Sequence, residues 1–370
     1  MIPERLVDAA ARWCEKRGLP GAQVAVARDG EVELFEAVGD ATAASRFLIW
    51  SCTKAIVASV IWQLVGEGRV AYDEKVATYL PEFATNGKDV VTLDQVLLHT
   101  AGFPSAPLGP ARWATSASRR EAFARWRLNW EPGTQYEYHQ LAGAWVLAEV
   151  IEAVEGRDYR AVIHERVTVP LGLTSFRLGV DEADQGDVEK VVVVGDAATD
   201  DEYIAAGWDP LPPPTVSPHG ALLMNTPAAL ALGIPGGGGV ANAADVARFY
   251  QGVLRHDPKL WDAAVLADAT SVVRNTFPDT GRWGESASRG RGVVIRGDDE
   301  PYASLRHHFG PATSPRTFGH DGAGGQIAWA DPDTGTSFCF LTNGYDANRV
   351  EELLRNQELS RLAAETARGG

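Results

Sequence analysis

Ser51-Cys52-Thr53-Lys54 stands at the head of a run in which Ala55, Ile56, Ala58, Ile61, Trp62 and Leu64 recur at roughly helical spacing, closed by Gly66 and Gly68. The pattern predicts a buried helix over residues 51–67 with a glycine stop. Residues i and i+3 share a helix face, so the amine of Lys54 comes within reach of the Ser51 hydroxyl. At a helix start, unpaired backbone N–H groups and the positive end of the macrodipole both favour an oxyanion. This is how an acylating serine is built, provided that desolvation or a second cation holds Lys54 below its ordinary pKa. Taken alone, the tetrapeptide also fits a serine that merely caps the helix and a lysine that points into solvent. Cys52 is set aside as nucleophile, because adjacent helical residues face different ways and a Ser51 turned to a cleft leaves Cys52 facing the core.

Two further segments offer partners. Pro132-Gly133-Thr134-Gln135-Tyr136-Glu137-Tyr138-His139-Gln140 reads as a turn that delivers a tyrosine to the start of a helix carrying Leu141, Ala142, Ala144, Trp145, Leu147, Val150 and Ile151. Phe318-Gly319-His320-Asp321-Gly322-Ala323-Gly324-Gly325 reads as a loop whose glycines admit close approach of backbone to a ligand, ahead of an apolar strand at 325–330.

In order and spacing, Ser51-x-x-Lys54, Tyr138-x-Gln140 and His320-x-Gly322 resemble the serine β-lactamase and penicillin-binding-protein superfamily, and within it the class C-like branch that includes the family VIII carboxylesterases. The stretch from Val96 to Gly102, the glycine run from Gly236 into Asp245, and Asp331-Pro332 resemble that branch as well. The resemblance implies an antiparallel sheet flanked by helices, with the site in a cleft between two domains. It also implies that Ser51 is the nucleophile and that Lys54 and Tyr138 share its proton, with a phenol lowered in pKa by the neighbouring ammonium and either group able to be the formal base. The oxyanion hole would be the backbone N–H groups of Ser51 and Ala323, supported by Gly322 and His320. Tyr136 competes for the base role; the family pattern favours Tyr138.

Three positions depart from the family pattern. Gln140 replaces an asparagine, His139 a small serine, and His320 the lysine of a Lys-Thr-Gly motif. Loss of that permanent cation weakens the attraction for a carboxylate and argues for ester cleavage over a dedicated β-lactamase. His99 reads as a structural turn residue and the pair His307-His308 as part of a surface loop. No Cys/His spacing suggests a metal, and no cofactor is implied.

The chain has 370 residues, a formal charge of −15 and 45% hydrophobic residues, which suits a globular protein and disfavours nucleic acid or an anionic membrane as partner. Three scattered cysteines, Cys14, Cys52 and Cys339, do not form a disulfide framework. No run approaches the ~20 apolar residues of a membrane helix. The N-terminal stretch reads as an amphipathic helix without the basic and apolar regions of a signal peptide, so the expected location is the cytoplasm.

Strands are predicted at 23–28 and 31–38, joined at Asp29-Gly30. Helices are predicted at 93–99, 119–127, 141–154, 159–169, 243–254 and 348–367, and further strands at 292–295, 325–330 and 337–342. Strands at both ends with helices between them predict an α/β domain of residues 1–72 and 219–370 into which a helical domain, 73–218, is inserted. The proline-rich stretch 208–215 is a stiff surface loop, either a wall of the cleft or a plain linker. Trp50, Trp113, Trp130, Trp208 and Trp329 fall near motifs or loops; two or three of them bordering the cleft would make an apolar pocket for hydrophobic esters. The reading is a carboxylesterase-type serine hydrolase acting on a small-molecule ester or amide. Acyl transfer and β-lactam or amide hydrolysis are the enzymatic alternatives, and a catalytically silent binding protein is the alternative of another class. Oligomeric state is left open.

Overall fold

Along β1 (Gly21–Arg28), valine and alanine alternate, and the alternation sorts them by size. In a computed structural model, which describes residues 2–256, 258–298 and 306–366, Val24 and Val26 face one side of a sheet and Ala25 and Ala27 the other. Strands β2 (Glu31–Gly39), β7 (Val294–Ile295), β8 (Phe318–Gly322), β9 (Gln326–Asp331) and β10 (Thr336–Thr342) complete a six-stranded antiparallel sheet in the order β2-β1-β10-β9-β8-β7. Ile327, Trp329, Phe338 and Phe340 join the valines beneath α1 (Ile2–Arg17) and the last helix, Arg349–Thr366. The opposite face carries Ala328, Ala330 and Cys339 beneath the helix Ala243–Arg255. Small residues there let that helix sit close, so enlarging Ala328 would overpack the face at a cost of about 1–3 kcal/mol.

The turn between β1 and β2 is the expected one: Arg28 pairs with Glu31, and Asp29 and Gly30 have φ of 52° and 87°. Two small sheets sit beside the main one. β6 (Gly239–Ala241) lies between β3 (Phe47–Leu48) and β4 (Arg177–Leu178), and β5 (Val192–Val194) runs parallel to β11 (Gly344–Asp346).

Between residues 73 and 218 the larger elements are the helices Leu93–Leu97, Ser116–Arg125, Ala142–Glu155 and Tyr159–Ile163, the last running into a π-helical turn, His164–Thr168. The helix predicted from 119 begins at Ser116 because the Thr115 hydroxyl accepts the Ser118 N–H at 3.2 Å. His99 takes a left-handed φ of 58°, which ends its helix early. A short helix absent from the prediction, Ala263–Ser271, is capped by Asp262, whose carboxylate accepts from the N–H groups of Ala264 and Val265.

Two expectations need correction. Residues 318–322 are not a loop but strand β8, with Phe318 paired to Ala330 and Gly322 to Gln326. Cross-strand hydrogen bonds override the weak strand preference of its two glycines. His308 is not at the surface: it is 2% exposed in a 3-10 turn, while the side chain of His307, like Ala367 in the predicted last helix, lies outside the described residues. Among the described residues, no helix is long and apolar enough to cross a membrane.

Candidate active site

Ser51 sits in a single 3-10 turn, Trp50–Cys52, that leads into α2 (Thr53–Gly66). The residue before it, Trp50, has a φ of 48°, a left-handed conformation costly for a bulky side chain and characteristic of functional sites. Cys52 turns inward, 1% exposed, and its Sγ donates to the His320 carbonyl at 3.2 Å. Lys54 is buried beneath the serine, with Nζ 3.1 Å from Ser51 Oγ and 2.5 Å from the Gly236 carbonyl oxygen. The glycine run explains that approach: Gly239 N–H donates to Thr53 Oγ1 at 3.0 Å, and a Cβ on Gly239 would stand 2.7 Å from the same oxygen.

Tyr138 Oη donates to Ser51 Oγ at 3.0 Å. Tyr136, two residues earlier, points elsewhere and accepts from Arg289 Nε at 3.2 Å. Behind Tyr138 stand two buried histidines. His99 Nδ1 accepts the His139 N–H at 3.1 Å, and its ring lies 4.8 Å from that of Tyr138. His139 Nε2 accepts the Phe103 N–H at 3.1 Å while Nδ1 donates to the Glu137 carbonyl at 2.7 Å. His139 therefore fixes the turn that carries Tyr138.

Burial and, next, the Arg289 charge lower Lys54 to about 7, so at neutral pH much of its amine carries a free lone pair. The phenol of Tyr138 moves the other way. Its desolvation outweighs Arg289 and the hydrogen bond to Ser51, and the pKa rises above the usual tyrosine value instead of falling as expected. At neutral pH the site therefore holds a lysine able to accept a proton beside a tyrosine that stays protonated.

Arg289 is the residue that reading the sequence missed. It is 2% exposed, its Nη1 reaches His320 Nε2 at 3.4 Å, and its guanidinium carbon lies 5.1 Å from the Tyr138 ring centroid. It comes from the irregular segment Ser288-Arg289-Gly290-Arg291-Gly292, where a Cβ on Gly292 would collide with Ala58 of α2. Gly292 is the signal that the segment presses against α2, while Gly290 lies against the carbonyl of Ala269 in the helix Ala263–Ser271. His320 on β8 is neutral, lowered to about 3 by burial and Arg289, and its Nδ1 donates to the Asp321 carbonyl at 2.6 Å. A permanent cation is therefore present after all. The inference from His320 that the site lacks one is corrected by Arg289, which supplies the charge from another segment.

Gly322 brings the end of β8 against the serine. A Cβ there would lie 2.8 Å from the Ile49 carbonyl oxygen and 3.0 Å from Trp50 Cβ, so only glycine admits this approach of Ala323 to Ser51. Ser51, Tyr138, Gln140, His320, Gly322 and Ala323 border one cleft of about 540 Å³. Pro212, Pro213, Pro214 and Thr215 form part of its wall. That wall is held by Arg349 Nη1, which donates to the Pro212 carbonyl at 3.0 Å, and by Trp283 Nε1, which donates to the Asp209 carbonyl at 2.7 Å. No tryptophan lines the cleft among the described residues. Trp50 packs on Tyr345, Trp113 stacks on Trp145, Trp208 meets Trp283, and Trp329 is buried in the sheet, so the expected tryptophans do not make the pocket; its lining mixes prolines, Val216 and Tyr345 with charged groups such as Arg289 and Asp321.

Comparison with known proteins gives the family and the fold. The model of the Beta-lactamase family matches residues 4–362. Esterase/beta-lactamase LipL of Mycobacterium tuberculosis is 26% identical over 375 residues, covering 91% of this chain and 80% of that protein. A penicillin-binding protein homolog from Caulobacter crescentus superposes with a TM-score of 0.76 at 26% identity, covering 98% of this chain and 97% of the other. A family VIII carboxylesterase shares the fold with a TM-score of 0.77 at 24% identity, covering 97% of each chain.

Proposed function

The chain belongs to the Beta-lactamase family, and from that premise we propose that it is a serine hydrolase that cleaves carboxylic esters through an acyl-enzyme on Ser51. The observation that carries the reading is the position of Ser51 Oγ, 3.1 Å from a depressed lysine and 3.0 Å from a protonated tyrosine. Lys54 gives an N–H to the Gly236 carbonyl and turns its lone pair to the serine proton. Ser51 Oγ then attacks the ester carbonyl, and the oxyanion is received by the N–H groups of Ser51 and Ala323, each such donor being worth on the order of 3 kcal/mol in the transition state. Tyr138 protonates the departing alkoxide and is reprotonated from Lys54, whose Nζ lies 5.0 Å from its ring centroid. Water repeats the sequence on the acyl group and frees Ser51. We read the cleft as lying between an α/β unit, residues 1–72 and 219–370, and an inserted helical unit, residues 73–218; its lining comes from both.

Amide or β-lactam hydrolysis is a second reading, favoured by Arg289, whose charge beside His320 offers the attraction for a carboxylate that a lone histidine lacks. The test is rapid mixing with p-nitrophenyl butyrate and, separately, nitrocefin, with intact mass measured in parallel. A p-nitrophenol burst, a butyryl adduct lost in Ser51→Ala, and a larger kcat/KM for the ester are expected. Comparable or faster nitrocefin turnover replaces the esterase reading with the second one. Acylation that stalls until an alcohol is added makes the enzyme a transferase.

A further inference from the structure

Beyond the catalytic groups, the cleft ends in a recess formed by His308, Asp321, Glu352 and Arg282. Asn356 fixes the histidine. Its Nδ2 donates both to the Gly325 carbonyl at 3.1 Å and to His308 Nδ1 at 2.7 Å, so the ring proton sits on Nε2. That N–H points between Asp321 Oδ2 at 3.9 Å and Glu352 Oε1 at 3.8 Å, too far for a direct hydrogen bond to either. An oxygen set to the side of these atoms, within hydrogen-bond distance of Nε2, would accept the N–H and donate to one of the two carboxyl groups. On the same side, Arg282 donates Nη2 to Asp321 at 2.7 Å while its buried Nη1 has no hydrogen-bond partner among the described residues.

The charges of the recess largely cancel. Arg282 is paired with Asp321 and Arg355 with Asp346, and Glu352, held up at about 7 by burial, stands near Arg349. Donors and acceptors alternate with little net charge, which favours a neutral group that can both give and accept. We infer that the recess binds a hydroxyl group of the substrate, so that the natural substrate is a hydroxylated ester, either of a polyol or of a hydroxy acid. The inference rests on the esterase reading and narrows it.

Two matched pairs separate the sources of the hydroxyl: glycerol monobutyrate against n-propyl butyrate for the alcohol side, and ethyl 3-hydroxybutyrate against ethyl butyrate for the acyl side. The hydroxylated member of one pair is expected to have a kcat/KM about 10-fold or more above its partner, the worth of a hydrogen bond to charged groups. In Glu352→Leu, and independently in His308→Phe, that ratio falls toward one. The ratio is read within one preparation and so does not depend on the folded fraction. Equal rates within both pairs, or a preference untouched by either substitution, overturn the inference. If no ester acylates Ser51, the esterase reading fails and saturation-transfer NMR decides the recess. Stronger saturation of glycerol monobutyrate than of propyl butyrate, lost in Glu352→Leu, upholds it; equal saturation overturns it.

Discussion

Replacing Arg289 by methionine removes one buried cation while keeping an unbranched side chain, and its effect on Lys54 can be worked out. Lys54 Nζ lies 5.0 Å and the Arg289 guanidinium carbon 5.1 Å from the same Tyr138 ring centroid, so the two charges are at most about 10 Å apart. At an effective dielectric constant of about 20, their repulsion is about 1.7 kcal/mol or more, which is about 1.2 pH units on the lysine. The sign follows from Lys54 acting as a neutral base: activity is lost as pH falls through its pKa. In the wild type kcat/KM should reach half its plateau near pH 7, the value to which burial and Arg289 lower the lysine. In Arg289→Met the midpoint should move to about pH 8, so that activity at pH 7 drops about 8-fold and largely returns above pH 9. The assay is kcat/KM for p-nitrophenyl butyrate between pH 5 and 10, with Arg289→Lys as the charge-retaining control. A uniform loss at every pH, with the midpoint unmoved, would refute the electrostatic role and leave Arg289 as packing behind the tyrosines.

Other substitutions probe the remaining parts. Tyr138→Phe removes the phenol that donates to Ser51 and should cut kcat by about 10²–10⁴, whereas Tyr136→Phe should cost less than about 10-fold; steady-state rates in the reverse order would move the proton carrier to Tyr136. Gly322→Ala drives a Cβ into the Ile49 carbonyl and should lower kcat about 100-fold with KM little changed, by shifting the Ala323 N–H; an unchanged kcat would remove Ala323 from the oxyanion hole. Ser51→Ala should lose about 10⁴-fold or more of kcat and show no mass adduct, while its thermal unfolding temperature stays near that of the wild type.

What the sequence makes legible is local. Ala55, Ile56, Ile61 and Leu64 repeat with the helical period, and Asp29-Gly30 is a turn that chemistry alone predicts, so α2 and the first hairpin are readable without a structure. Strand β8 is hidden because Gly319 and Gly322 have weak strand preference and only pairing with β9 makes them one. Arg289 is hidden for a different reason: it lies in an irregular segment with Gly290, pressed on Ala269, and Gly292, pressed on Ala58 of α2, and the meaning of both glycines appears only once those helices are opposite them. Glu352 follows Glu351 at the start of a helix, where acidic pairs usually meet solvent and the dipole. The direction of Tyr138's shift was out of reach because desolvation is a property of the folded surroundings.

The strand order has a consequence for how the protein is made. β1 leaves the ribosome well before its partner on one side, β10, which follows about 300 residues later in the chain. Until then the nascent chain carries a hairpin with a bare apolar edge, and strand β8, paired with β7 and β9, is not yet joined to that hairpin through β10. The sheet is therefore completed in one late step when β10 docks between β1 and β9, and a chain cut short before residue 336 is expected to be an aggregation-prone fragment that keeps Ser51 and Lys54 without the sheet that places β8 against them.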